Sequence, residues 1–332
     1  MEQHIETITT ELVHPVELTN DQPPAPNISR PFIEANTVEA TLPEIRNNHI
    51  IPVFVKDNEP LISHAEFIEI TAALVAQTFI GEHILQPQVR VSHPIKGRIP
   101  EAKDKAAQQL HEWEKTIYYE RMAFVIEVPS IQSVIDGNTL SLTIGGVKAY
   151  NSDNLYSRSV SDQHFKIFTG FKNKVCTNLC IWTDGFQQDI KVKSSGQLKA
   201  CIQSLLESYN ANYHLHNLAK LSEFSITEHQ FAQLVGRCRM YPHLPWEIRK
   251  DLSPLLFGDQ QINAVVKDFY RDESFCRDKE GNINLWRLYN LFTGANKSSY
   301  IDSFLEKSVN AYAFVEQIRF ALEGKNENWY LN

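Results

Sequence analysis

The chain has 332 residues and a formal charge of −8, from 32 Lys and Arg against 40 Asp and Glu. Hydrophobic residues make up 42% and charged residues 22%, a globular composition that excludes a fibrous or wholly disordered chain. Five cysteines are too few for a disulfide scaffold, no run approaches the ~18 apolar residues of a spanning helix, and Met1-Glu-Gln-His-Ile-Glu does not open a cationic, apolar signal segment. A soluble, cytoplasmic protein with reduced thiols and no membrane partner is expected, as one large domain or two small ones.

The charge is unevenly spread. Residues 1–60 hold 10 acidic and 3 basic residues, residues 61–200 hold 14 and 15, and residues 201–332 hold 16 and 14. Nearly all the acidity therefore sits in the first 60 residues. Global charge neither indicates nor excludes a nucleic-acid partner, because phosphate contacts depend on local Lys and Arg.

Residues 1–48 read as a disordered, acidic, Pro-rich tail. Eight of the 15 prolines lie in the first 60 residues, and no apolar period is sustained there. His49 to Val55 reads as a short edge strand, since Pro52 would break a central ladder. Residues 49–194 read as an α+β sheet region. Ser63 and Glu66 form a capping box, Ile62 and Phe67 a staple, and Phe67, Ile70, Leu74, Val75 and Phe79 one helical face ending at Gly81. Gln88 to His93 is a predicted strand and Glu101 to Glu114 a predicted helix. Ala123 to Val128 predicts a buried strand ended by Pro129.

Gly137-Asn138 turns into a strand over Thr139 to Tyr150, where Gly145-Gly146 marks a bulge or a close backbone approach. Phe165 to Phe168, Lys174 to Trp182 and Gln187 to Lys193 continue as short strands, with turns at Gly170 and Asp184-Gly185. Consecutive strands with hairpin-length turns predict an antiparallel sheet. Residues 195–332 read as helical, packed on that sheet as one globular unit. Stripes start at Leu198, Ile262 and Leu285, a capping box at Ser225 and Glu228 precedes Phe231, and a last helix spans Tyr300 to Leu322 with Ser299 as its cap. Strands followed by helices give the α+β class.

No phosphate-cradling fingerprint is present. Cys176 and Cys180 could share a strand face, but buried thiols that act as small apolar side chains are the preferred reading. No metal site and no cofactor is expected. Asp189-Ile190-Lys191 with Asp184 upstream is a weak hook for metal-dependent nuclease chemistry. Phe165 to Lys174 interleaves three aromatic and three basic residues without an acid, a pattern that suits base stacking and phosphate tracking. Core packing of the phenylalanines is the competing reading, since Phe165 and Lys166 point to opposite faces of one strand.

Four segments carry a family resemblance: Ser92-His-Pro-Ile-Lys-Gly-Arg98, Glu114-Lys-Thr-Ile-Tyr-Tyr-Glu-Arg-Met122, Gly170-Phe-Lys-Asn-Lys-Val-Cys-Thr-Asn-Leu-Cys180 followed by Asp184-Gly185, and Trp286-Arg-Leu-Tyr-Asn-Leu-Phe-Thr293. They resemble the family called domain of unknown function 3871, found in Bacteroidetes, from about residue 50 to the C-terminus. Val175 to Asn178 and Trp286 to Thr293 also resemble, more distantly, the phage/plasmid-like proteins of unknown function. The resemblance implies a link to phages, plasmids or integrated elements, and it assigns no catalytic residue.

The leading expectation is a non-enzymatic nucleic-acid-binding protein of a mobile element, specific for single strands. Arg90, Lys96, Arg98, Arg121, Lys166, Lys172 and Lys174 are the candidate phosphate contacts, with Tyr118 and Phe171 as stacking residues. Asn178 and Asn290, polar within apolar stretches, pair structurally or line a cleft. Two alternatives stand beside it: a protein–protein interaction factor in host takeover or element control, and a metal-dependent nuclease using Asp184, Asp189 and Lys191. DNA against RNA and the oligomeric state stay open.

Overall fold

The computed structural model describes residues 31–49, 61–153, 162–325 and 327–331. In chain order its strands are β1 (Thr37–Ala40), β2 (Gln88–Ser92), β3 (Ile95–Arg98), β4 (Lys115–Tyr118), β5 (Arg121–Ile135), β6 (Asn138–Ala149), β7 (Gln163–Asn173), β8 (Leu179–Cys180), β9 (Phe186–Val192), β10 (Ser225–Ile226) and β11 (Ile283–Asn284). Its α-helices are α1 (Leu42–Asn48), α2 (His64–Thr78), α3 (Ser195–Ser208), α4 (Ala211–Lys220), α5 (Glu228–Met240), α6 (Trp246–Arg249), α7 (Asp259–Arg271), α8 (Leu285–Asn296) and α9 (Ile301–Leu322). The fold is α+β, with a helical C-terminal half.

Seven strands make one antiparallel sheet in the order β1-β2-β5-β6-β7, and β8 and β9 share the far edge of β7. The β5–β6 hairpin closes through Asp136 and Gly137, both at positive φ (47° and 75°), where glycine carries no steric penalty. Pro129 does not end β5. A register shift between Val128 and Gln132 absorbs it, and pairing resumes to Ile135.

Alternation along the long strands sends side chains to two buried faces. On one, Phe67 of α2 meets Phe124 and Phe165 edge-on, with ring centroids 5.1 and 4.9 Å away. Burying one such ring contributes about 1.5–3 kcal/mol. Gly146 makes this seating possible, because a Cβ there would lie 2.5 Å from the Phe67 ring. The expected close approach at Gly145-Gly146 is what the fold uses. On the other face Val125, Val147, Phe168 and Leu179 pack with Phe32 and Ile33 and with Ile301, Phe304 and Leu305 of α9. The sheet therefore lies between helices. Beyond it, Phe231 of α5 stacks on Phe269 of α7 at 3.9 Å, and α8 is buried over most of its length.

Several expectations need correction. Residues 31–48, assigned from sequence to the tail, hold buried Phe32 and Ile33, a strand paired to β2, and α1, which opens with a reciprocal Thr41–Glu44 capping box. The rest of the tail and residues 50–55 of the expected edge strand lie outside the described residues; His49 forms an isolated bridge to Ile117. Residues 101–114 are not an α-helix but three short 3-10 turns. Propensity favours a helix there, yet the segment has no apolar stripe to dock, and a short helix without packing is unstable. Gly170 is not a turn but lies inside β7, where a Cβ would sit 2.4 Å from the Cys180 carbonyl oxygen. Lys174 to Trp182 is broken by Thr177 at φ 59°, so Cys176 and Cys180 do not share one strand. The box before Phe231 is Thr227 with Gln230, and Tyr300, not Ser299, caps α9.

Candidate nucleic-acid interface

After β2, His93-Pro94 takes the chain out of the main sheet into a two-stranded ribbon of β3 and β4. Its register pairs Ile95 with Tyr118, Lys96 with Ile117, Gly97 with Thr116 and Arg98 with Lys115. Directly opposed residues share a face, and residues two apart along a strand do too. Lys96, Arg98 and Lys115 therefore stand on one face of the ribbon, beside Ile117. Every residue of β3 is exposed.

The root of the ribbon is fixed by a histidine and tyrosine cluster. The Tyr119 N–H donates to His49 Nδ1 at 3.1 Å, and the Tyr119 carbonyl faces His64 Nε2 at 2.9 Å. The His49 ring stacks with Tyr118 and Tyr150, with centroids 5.6 and 6.0 Å away. Burial pushes the His49 imidazole down to about 4. His64 is held well below its ordinary value, by burial first and then by the neighbouring His49. Both rings are therefore neutral at neutral pH, and β4 is anchored while β3 faces out.

At the far end, the Arg98 guanidinium donates to the Lys105 carbonyl, and the Lys105 ammonium pairs with Glu114. Lys115 pairs with Glu112, whose carboxyl is lowered by that hydrogen bond and charge. Exposed pairs of this kind are weak and screened by salt, so Lys115 can exchange Glu112 for a phosphate.

The remaining candidates are not gathered here. Arg90 donates to the Thr37 hydroxyl and carbonyl, tying β2 to β1. Arg121 lies between Glu120 and Asp302, 2.7 Å from the latter. Lys166 is held by Glu306 and the Asp302 carbonyl. Lys174 is exposed, 3.4 Å from Gln132 Oε1. Two candidates are overturned: Phe171 is 1% exposed within the core, and Lys172 is buried against Glu127 at 3.0 Å. β7 is covered on both faces, so neither side chain can reach a nucleotide.

Asn178 and Asn290 do meet. The Asn178 amide donates to the Asn290 carbonyl at 2.9 Å, and the Asn173 amide donates to Asn290 Oδ1 at 3.2 Å. They pin the turn between β7 and β8 to α8, which is a structural role. Asp189 is exposed and taken by Lys191 at 2.8 Å and His164 at 3.2 Å. Asp184 sits in the 3-10 turn Thr183–Gly185. Among the described residues no three His, Cys, Asp or Glu side chains converge as metal ligands. Burial raises the Cys176 thiol to about 11, far from a reactive thiolate.

Sequence reasoning overlooked Trp113, which is 69% exposed. Its one signal was a lone indole among charged residues in His111-Glu-Trp-Glu-Lys115. Among the described residues no helix is long and apolar enough to cross a membrane.

Neither the curated proteins nor the solved structures gave a match. The family described as "Domain of unknown function, B. Theta Gene description (DUF3871)" matches residues 17–331. The match reaches the same segments that carry the resemblance in the sequence, and the chain belongs to this family.

Proposed function

We propose that the protein is a non-enzymatic nucleic-acid-binding factor of a phage- or plasmid-like element, and that it binds through the β3–β4 ribbon. The supporting observation is the register that aligns Lys96, Arg98 and Lys115 on one face of an exposed ribbon. Cations in such a row track phosphates, and each contact releases counterions. The element link rests on the resemblance to phage/plasmid-like proteins.

The test is fluorescence anisotropy of a labelled oligonucleotide at two salt concentrations, for the wild type and for Lys96→Glu with Arg98→Glu. Binding that weakens steeply with salt is expected, with a loss of tenfold or more in the double variant and a salt slope shallower by about 1.5–2. Absence of binding at low salt, or an unchanged double variant, rules the proposal out.

A second reading is a protein partner. β3 pairs only with β4 among the described residues, so its outer edge is free to accept a partner's strand. A partner lost on Gly97→Pro, with no oligonucleotide bound by the wild type, favours it.

A further inference from the structure

We infer that Trp113 is a base-stacking platform and that the ligand of the ribbon is a single strand, with unpaired bases lying on this indole. This rests on the nucleic-acid reading of the ribbon. Leaving an indole in water forgoes a large burial gain. Trp286, by contrast, is fully buried.

Trp113 is not loose. It lies in the 3-10 turn Glu112–Glu114, which the Glu114 carboxylate locks by accepting the His111 N–H at 2.8 Å and pairing with Lys105. The His111 ring lies parallel to the indole, 5.9 Å between centroids and 5° between planes. Two parallel, offset rings thus form a shelf whose orientation is set before any ligand arrives.

The shelf joins the basic face of the ribbon. The Lys105 ammonium is 6.0 Å from the indole centroid, and the Lys105 carbonyl accepts from Arg98. Arg98, Lys105 and Trp113 are therefore neighbours, which sets phosphate-seeking cations beside a flat apolar ring. A backbone with splayed bases offers both partners at once, and every base has a face to stack. A duplex offers phosphates but keeps its base faces covered, so the indole selects single strands.

The experiment compares a labelled oligo(dT) with a duplex of equal length, at two salt concentrations. Four proteins are used: wild type, Trp113→Ala, Trp113→Phe, and Lys96→Glu with Arg98→Glu. The wild type is expected to prefer the single strand. Trp113→Ala should weaken single-strand binding about tenfold or more, leave the salt slope and duplex binding unchanged, and be largely rescued in Trp113→Phe. Equal affinity for both ligands, or a Trp113→Ala protein that binds like the wild type, overturns the inference; if the charge variant is still weakened, the ribbon reading survives. If no oligonucleotide binds the wild type, both fall. Trp113 is exposed, so its variants should fold, and an unchanged melting temperature confirms that a lost affinity belongs to the site.

Discussion

Lys172 Nζ lies 3.0 Å from Glu127 Oε2, bridging β7 to β5 inside the protein. Ser141 donates to the other oxygen of the same carboxylate at 2.6 Å, and Gln88 accepts from the ammonium at 3.1 Å. Burial alone would raise the Glu127 carboxyl; the Ser141 hydroxyl and the Lys172 charge outweigh it and hold the group below its ordinary value. Lys172→Met should strand a buried carboxylate and destabilise the fold by about 3 kcal/mol. Glu127→Gln added to it should restore much of that loss, because both charges then leave together. Urea denaturation of the two variants measures this. A Lys172→Met protein within 0.5 kcal/mol of wild type (roughly a surface-mutation effect) contradicts the buried-pair account.

Acid should weaken the fold through its buried histidines. Burial lowers His49 to about 4 and His214 to about 3, and the Tyr209 hydroxyl meets His214 Nδ1 at 2.5 Å. An unfolded histidine titrates near 6.5. Between that value and the folded ones, the unfolded chain binds protons that the native chain refuses. Stability is therefore full above pH 6.5 and falls as pH drops towards 4. At pH 5 each of the two histidines removes about 2 kcal/mol, and His64 acts in the same direction. Chemical denaturation at pH 7 and pH 5 should show the loss, and His214→Gln should shrink the difference by about 2 kcal/mol. Equal stability at the two pH values would contradict neutral burial of these rings.

Local signals carried most of the legible fold. Ser63 caps α2 because its oxygen reaches a backbone N–H three residues on, and such spacing is visible in a sequence. The β5–β6 hairpin was legible from its glycine too, although it closes through Asp136 and Gly137, one residue before the Gly137-Asn138 expected. Lys172 was misread because its partner Glu127 lies 45 residues earlier, and alternation along one strand says nothing of what the next strand offers. Half of the candidate site was visible: Lys96 and Arg98 were named, but the face they share with Lys115 depends on pairing with β4, and Tyr118 falls on the other face, against His49. Residues 101–114 misled in the opposite sense, since Ala and Gln propensity was present without a face to bury. Trp113 lacked any periodic context, so only its exposure in the fold distinguishes it from a core indole.

Asn173 and Asn290 should behave as one unit. Asn290 Oδ1 accepts from Asn173 at 3.2 Å, while Asn290 Nδ2 donates to the Trp286 carbonyl at 2.9 Å within α8. Asn290→Leu keeps the volume but leaves the Asn173 amide without its acceptor, an expected loss of about 2 kcal/mol. A double-mutant cycle with Asn173→Ala should return a coupling of about 1 kcal/mol, because both changes delete the same bond. The Asn178 bond goes to the Asn290 main chain, so Asn290→Leu leaves it in place. Zero coupling between positions 173 and 290 would mean that the bond contributes nothing to stability.

Two glycines predict opposite signs for the same substitution. At Gly146 an added Cβ meets the Phe67 ring at 2.5 Å and the Lys166 carbonyl oxygen at 2.7 Å. Neither can retreat freely, since the ring is buried between Phe124 and Phe165 and the carbonyl belongs to β7. Gly146→Ala must push α2 off the sheet, with an expected loss of about 3 kcal/mol or more. At Gly236, inside α5, a Cβ meets nothing within 4 Å. There alanine removes the backbone freedom of the unfolded chain without a clash, and Gly236→Ala should stabilise by about 0.5–1 kcal/mol. Thermal unfolding of the two variants should move in opposite directions from the wild type. A stable Gly146→Ala protein would mean that Phe67 does not seat against this strand, and the packing of α2 on β6 would be wrong.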